Sequence, residues 1–176
     1  MEKKVIKTND ISVRFGGRNF SDDDFEVNTG VMMLDENNKI PTVEDVVWYQ
    51  NLMHIKDSVK MSRYDSIDYS TISYDEEFVD IQLDKISNNI KKLAFFVTVY
   101  DGRARNQNLK RAGEFFVQVL NSNNQELIKY NYESSQEGIS MIVGTLERFG
   151  GEWIYNSVKE EFDEEGVKFL QGFLKE

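Results

Sequence analysis

The chain has 176 residues with a formal net charge of −10, and 40% of its residues are apolar. This length and apolar content predict one domain, residues 1–176, with a sizeable hydrophobic core. The sequence contains no cysteine and one histidine, His54, which excludes disulfides, thiolate catalysis and cysteine-based zinc sites. Its 31 Asp and Glu residues instead offer the oxygen ligands that calcium and magnesium prefer.

The acidic net charge and the hydropathy pattern limit the kinds of partner that the protein is expected to bind. Nucleic-acid binding depends on a basic face, so we expect no nucleic-acid partner. No window approaches the ~18 consecutive apolar residues of a membrane helix, and no signal-peptide core is present, so we expect a cytoplasmic protein without direct membrane insertion. One local basic group is interpreted as a solvated rim that balances acidic loops, with a polyanion site as the alternative. It comprises Lys91, Lys92, Arg103, Arg105, Lys110 and Arg111.

Apolar runs that alternate with polar residues, or that are rich in β-branched and aromatic side chains, predict strands along the whole chain. A polar turn is predicted at 35–39, a helical turn capped by Thr42 follows it, and a short helical crossover is predicted over 84–90. His54 is interpreted as a packing or turn residue rather than a ligand. The predicted strands are 11–15, 24–34, 46–52, 78–83, 93–100, 114–120, 126–132, 139–149 and 152–158.

Oxygen-bearing side chains occupy alternate positions at the start of the second predicted strand. Because side chains alternate between the two faces of a strand, Asp24, Glu26 and Asn28 lie on one face and the apolar residues between them lie on the other. Three oxygen donors above an apolar face suit a hard cation. The alternative interpretation is a solvated acidic loop.

The strand over 93–100 is predicted to be central and buried, because its eight residues carry no charge. It stops at Asp101, and Gly102 allows the chain to turn there. A carboxylate is thereby placed at the rim of a rigid scaffold, where functional groups usually lie; the alternative is a plain turn. Strand polarity further predicts that the segments 24–28 and 75–77 meet Asp101 at the same end of the fold.

The regular spacing of short strands and polar turns predicts an all-β fold, an antiparallel β-sandwich with short helical crossovers. The C-terminal segment 160–175 carries four apolar residues at helical spacing, namely Phe162, Phe169, Leu170 and Phe173. We therefore predict a C-terminal amphipathic helix that covers the sandwich. The alternative is a helix that binds a partner.

Two separate motifs resemble one known family. The segment FVTVYDGRARNQNL (96–109) resembles the hallmark of the TerD family of tellurium-resistance and stress-response proteins, and RFGGEW (148–153) resembles the family's Arg-x-Gly-Gly-Glu-Trp. The resemblance extends back through VVWYQNL (46–52) and FEVNTGVMML (25–34). Two unrelated motifs in the right order make a chance match improbable.

The resemblance implies a calcium site. TerD-like proteins carry Asp-x-Asp-x-Asp where this chain has Asp24, Glu26 and Asn28, and their following loop, rich in glycine and aspartate, completes the site. Glu26 and Asn28 keep an oxygen donor but remove one charge and lengthen one arm, so we expect calcium as the cofactor, bound more weakly than in the family. The corresponding segment 62–77 has no glycine here, which would weaken or remove the second half of the site. The predicted metal ligands are Asp24, Glu26, Asn28, Asp65, Asp68, Asp75, Glu76, Glu77 and Asp101.

The function that the resemblance implies is a non-catalytic calcium-binding protein in a stress or tellurite-resistance system. Its expected partners are other stress-response or Ter-type proteins, and a membrane-associated complex would be reached only through them. The alternative is a degenerate, metal-free scaffold or protein-interaction domain. An enzyme that pairs Asp101 with Asp24 or Glu77 is a third hypothesis, but with so many acids a carboxylate pair carries little information, and we expect no catalytic activity.

Overall fold

The computed structural model describes residues 1–22, 24–54, 56, 58–63, 75–133 and 137–175. Twelve strands lie in these ranges: β1 Lys3–Ile6, β2 Asp10–Gly17, β3 Ser21–Asp22, β4 Phe25–Leu34, β5 Val46–Trp48, β6 Val59–Arg63, β7 Asp75–Gln82, β8 Lys92–Val99, β9 Phe115–Asn121, β10 Glu126–Tyr132, β11 Ser140–Phe149 and β12 Glu152–Phe162. The helices are short: α1 Gly102–Arg105, α2 Gly166–Gln171, and 3₁₀ turns at Val43–Asp45, Leu83–Lys85 and Leu109–Ala112. None of these helices is long and apolar enough to cross a membrane.

The strands form two antiparallel sheets that pack face to face. The first sheet has the order β1-β12-β11-β8-β4-β3, and β5 also pairs with β4. The second sheet has the order β10-β9-β2-β7-β6. This arrangement confirms the predicted antiparallel β-sandwich with short helices.

Period-two alternation places the core between the sheets. On β2, Val13 and Phe15 are fully buried, while Arg14 between them is half-buried on the outer face. On β8, Phe95 and Val97 face the same core. Burying apolar surface contributes about 25 cal/mol per Å² to the free energy of folding, so this layer is the main stabilising feature of the fold.

A second apolar cluster covers the outer face of the first sheet. Met32 of β4 and Phe96 of β8 meet Phe169 and Leu170 of α2 there, and the rings of Phe96 and Phe169 have centroids 5.5 Å apart. Because both faces of β8 and of the second half of β4 are buried, residues 93–97 and 30–34 form continuous apolar runs in the sequence.

The predicted central strand is confirmed. β8 pairs with β4 on one side and β11 on the other, and all its residues except Lys92 are buried. The register Val27 to Val99 brings the start of β4 beside the end of β8. The Asp101 turn therefore lies at the same end of the molecule as Asp24.

The C-terminal prediction is partly wrong. β12 continues to Phe162, so the first residues of segment 160–175 are strand and only Gly166–Gln171 is α-helix. Phe162 still meets Phe169 and Phe173, with ring centroids 5.0 and 5.8 Å away. The spacing of these rings reflected a shared apolar cluster rather than one helix.

Other boundaries also differ. β5 ends at Trp48, because Trp48 and Asn51 exchange backbone hydrogen bonds that close a turn. The strand Lys3–Ile6 was not predicted; it pairs with β12 at an edge of the first sheet. Two lysines in a four-residue strand hide its pattern, and charge is common on sheet edges.

Candidate functional site

The turn after β8 is rigid. Asp101 adopts the left-handed conformation, with φ 49° and ψ 30°, and α1 begins at Gly102. A Cβ on Gly102 would lie 2.8 Å from Ile139 Cγ2 and 2.9 Å from the carbonyl oxygen of Gln107, so only glycine fits. The Arg105 N–H donates to the Asp101 carbonyl at 2.9 Å, and the Asp101 residue is exposed.

The chain that follows this turn binds Asp24. The Arg111 guanidinium pairs with the Asp24 carboxylate, with Nη1 3.3 Å from Oδ2. Arg105 and Gln107 donate to the Asp24 carbonyl at 3.0 and 2.9 Å. Arg111 also lies 5.1 Å over the ring of Phe25. A cationic side chain, itself held by an aromatic ring, therefore neutralises the first predicted ligand.

Asn28 and Asp101 line one recess on the outer face of the first sheet. The recess has a volume of about 250 Å³ and is closed on one side by the start of α2. Asn28 is buried and lies opposite Thr98 of β8. Thr98 Oγ1 accepts from the Gly166 N–H at 3.1 Å and lies 2.7 Å from Ser140 Oγ. These bonds fix α2 beside the Asp101 turn.

Glu26 lies at the same end of the first sheet. Its side chain is exposed, and its carbonyl accepts from the Tyr100 N–H at 2.8 Å. Glu26 and Asn28 of β4 thus alternate with buried Phe25 and Val27, as the period-two pattern predicts, and Asp24 lies in the turn before the strand.

Glu76 and Glu77 point to opposite sides of the second sheet. Glu77 accepts from the hydroxyl of Thr29, which faces the space between the sheets. Glu76 is buried and pairs with Arg14, whose Nε lies 2.9 Å from Oε2. The start of β7 therefore does lie at the Asp101 end, but neither glutamate shares the recess of Asn28.

The side chains of three further predicted ligands lie outside the described part of the structure. Asp65 and Asp68 lie outside the described residues, and for Asp75 only the backbone at the start of β7 is described. Their place in a metal site stays a prediction.

The described residues do not form a calcium site by themselves. Calcium takes six to eight oxygen ligands converging on one point. In the part of the chain that the structure describes, no three Asp, Glu or His side chains converge in this way. Arg111 holds Asp24, Arg14 holds Glu76 and Thr29 bonds Glu77, so three of the predicted ligands already have protein partners.

The basic residues grouped in the sequence lie at two separate ends of the fold. Lys92 lies at the start of β8 and pairs with Glu147 at 3.4 Å, whereas Arg103 lies at the other end and pairs with Glu164 at 3.4 Å. Arg103 N–H also donates to Glu165 Oε2 at 2.7 Å. These contacts agree with a rim that balances acidic side chains; absence of a nucleic-acid partner stays a prediction.

His54 takes part in a buried hydrogen-bond chain. Its Nε2 lies 3.1 Å from Asp45 Oδ1 and its Nδ1 lies 3.0 Å from Ser58 Oγ. The residue types match those of a hydrolytic triad, but Ser58 is fully buried, so a substrate carbonyl cannot approach it. The chain instead ties the 3₁₀ turn to the loop before β6, which agrees with the packing interpretation of His54.

Sequence reasoning did not single out Arg111 as the partner of Asp24. Arg111 was assigned to the basic group, but 87 residues separate it from Asp24, and no local pattern links the two.

Comparison with known proteins gives a consistent result. The model of the TerD domain family matches residues 1–173. General stress protein 16U of Bacillus subtilis is 31% identical over 137 residues, which is 77% of this chain and 70% of the relative. Tellurium resistance protein TerD of Serratia marcescens is 26% identical over 154 residues, 86% of this chain and 79% of the relative.

A solved structure shows the same fold. A homologue of telluride resistance protein TerD from Streptomyces coelicolor A3(2) superposes with a TM-score of 0.69 at 18% identity, covering 92% of this chain and 95% of that one. The relatives named here carry stress-response or tellurium-resistance names, and none of those names is that of an enzyme. The sandwich, both sequence motifs and the match over nearly the whole chain lead to one conclusion: this chain belongs to the TerD domain family.

Proposed function

We propose that this chain is a non-catalytic, cytoplasmic stress-response protein that acts by binding partner proteins in a tellurite-resistance type of system, and that its working form needs no metal. The observation that carries the proposal is the Arg111 guanidinium on the Asp24 carboxylate. An internal cation there satisfies the charge that calcium would otherwise neutralise. The sandwich then stays ordered at this end without an ion.

The chemistry of the chain supports a non-catalytic role. It has no thiol, and methionine does not regenerate unaided after oxidation. The one histidine is committed to Asp45 and Ser58 inside the fold. Purified protein free of flavin should not reduce tellurite; catalytic reduction would contradict this part of the proposal.

Calcium binding is the second candidate, and one observation favours it. Asp24, Asn28, Asp101 and Glu77 lie at the same end of the sandwich. A calcium ion that displaced Arg111 would be coordinated by at least one exposed carboxylate, that of Asp24. Magnesium would bind less tightly, because it requires nearly ideal octahedral coordination.

Thermal unfolding separates the two candidates. A ligand at 100 times its dissociation constant stabilises the native state by about 2.7 kcal/mol, which raises the melting temperature of a chain of this size by about 5–10 °C. We expect wild-type protein to melt at the same temperature in millimolar calcium and in chelator. A calcium-dependent rise that disappears in both Asp24→Asn and Asp101→Asn would support the second candidate instead.

A further inference from the structure

Three cationic side chains meet at one turn, at the end of the sandwich where the hairpin between β11 and β12 lies. The Lys56 ammonium donates to Ser87 Oγ at 2.9 Å, and the Lys91 ammonium donates to the Asn88 carbonyl at 2.6 Å. The Arg148 guanidinium donates to the Ser87 carbonyl and to Asn88 Oδ1, both at 3.4 Å. The fold therefore brings three positive charges from separate parts of the chain to two adjacent residues.

These three cations bond only neutral oxygens. Ser87 accepts through its hydroxyl and its carbonyl, and Asn88 accepts through its carbonyl and its amide. Among the described residues, no carboxylate oxygen lies within 4.0 Å of the charged nitrogens of Lys56, Lys91 or Arg148. Like charges that are brought together repel one another, so an anion at this turn would stabilise the arrangement.

The acidic residues at this end do not neutralise the three cations. Glu147 pairs with Lys92 at 3.4 Å. Asp35 pairs with Lys175 at 3.6 Å. The other described acids of this end are exposed and pair with none of the three cations: Glu36, Asp84 and Glu152.

Arg148 lies behind the two lysines. Its Nε is buried and has no acceptor among the described residues, and burial lowers the pKa of the guanidinium without an opposing effect from a carboxylate. Lys56 and Lys91 are exposed. An ammonium carries three donors, and each lysine uses one of them at the turn, so two donors on each lysine remain for a ligand.

We infer that Lys56 and Lys91, backed by the charge of Arg148, bind a phosphate group. Lysine binds phosphate as a point charge. A phosphate monoester carries about −1.5 to −2 charges at pH 7 and three acceptor oxygens, which suits two ammonium groups. A carboxylate carries a single charge, and the exposed carboxylate of Asp84, three residues before Ser87, pairs with neither lysine. The inference goes beyond the proposed function and does not depend on whether calcium binds.

Two sources present this chemistry, a dissolved phosphate compound and a lipid headgroup. Phe149 follows Arg148 at the end of β11 and is 75% exposed. A membrane surface takes up exposed aromatic side chains and attracts lysines to its anionic headgroups. Phe149 makes no part of the phosphate site itself, so a variant at this position separates the two sources.

Nuclear magnetic resonance titration with inorganic phosphate tests the site, at constant ionic strength because salt screens exposed charges. We expect saturable shifts of the Arg148 Nε–H and Ser87 N–H signals. Lys56→Ala and Lys91→Ala should each weaken binding severalfold, and the double variant should abolish it. Lys168→Ala is the matched control, since it removes an exposed lysine at the Asp101 end; it should bind phosphate as wild type does.

Cosedimentation with phosphatidylcholine vesicles, with and without phosphatidic acid, identifies the source. Binding that requires phosphatidic acid and is weakened by Phe149→Ser, while that variant still binds inorganic phosphate, would assign a lipid headgroup. Phosphate binding without vesicle binding would assign a dissolved compound. A wild type that binds neither probe, lysine variants with wild-type affinity, or an equal loss in Lys168→Ala would each overturn the inference; unchanged melting curves would show that the variants are folded.

Discussion

The two turns that carry the TerD motifs both rely on arginine, but in different ways. At the Asp101 turn, Arg103 and Arg111 pair with carboxylates in water, and the side chains of Arg111 and Asp24 are 39% and 68% exposed. At the other end, Arg148 donates to backbone carbonyls and stacks on buried Trp153. Burial lowers the pKa of Arg148 from its usual value. The first turn is thus held by adjustable electrostatics and the second by structural bonds.

Arg148→Ala should have the largest effect on stability. It removes the side-chain donor to the Ile86 carbonyl and the stacking on Trp153, so we expect a loss of about 2–3 kcal/mol in urea unfolding. Arg103→Ala is the matched control at the other turn and should cost less than ~0.5 kcal/mol. Equal losses for the two variants would contradict the distinction between the turns.

The glycines of the two turns should respond differently to alanine. Gly102→Ala meets Ile139 and the Gln107 carbonyl, and should cost about 2 kcal/mol through overpacking. Gly150→Ala meets open space but has a positive φ, so it should cost only about 1 kcal/mol. Equilibrium unfolding of both variants measures this order, and a larger cost at Gly150 would reverse it.

Arg111→Ala should have a small effect. Exposed ion pairs contribute about 0–1 kcal/mol and are screened by salt. The difference from wild type in melting temperature should therefore shrink as sodium chloride rises to about 1 M, where the Debye length is ~3 Å. A salt-independent loss would show that packing on Phe25, rather than the charge of Asp24, holds Arg111.

Asp35 should contribute to the stability of the fold at the Arg148 end, and this contribution should be lost at acid pH. A hydrogen bond from the Lys39 N–H lowers the pKa of its carboxyl, with further help from Asn37 and Lys175 against the opposing effect of burial. A lowered native pKa adds stability above the usual carboxyl pKa, and that stability is lost as the pH falls through the native value. Asp35→Asn should flatten the acid limb of stability against pH. An unchanged limb would show that other carboxyls cause it.

Much of the sandwich was predictable because a strand that buries one face alternates apolar and polar residues, and a strand that buries both faces is a continuous apolar run. β10 matches its predicted bounds, and the apolar run before Asp101 is the central strand. Phe162 shows the limit of this reasoning: its spacing from Phe169 suits a helix, but β12 carries it into the same cluster. Apolar residues that meet in one cluster can have the same spacing in the sequence as apolar residues that lie on one helix.

The candidate site was predictable only in part. Strand polarity placed Asn28 and Asp101 at the same end of the sandwich, where they line one recess. Contacts between distant segments decide what those residues do. Arg111 reaches Asp24 across 87 residues and Thr29 reaches Glu77 across 48, and no local pattern encodes such pairs.

Calorimetric titration of calcium into wild-type protein and Arg111→Ala tests most directly whether Arg111 takes the place of a metal at Asp24. We expect no saturable heat for wild type up to a few millimolar calcium, with the folded state unchanged. Removing Arg111 should either leave that result unchanged or expose a weak site that Asp24→Asn abolishes. A one-site isotherm for wild type, lost in Asp24→Asn, would contradict a metal-free working form and make calcium the natural ligand of this end of the sandwich.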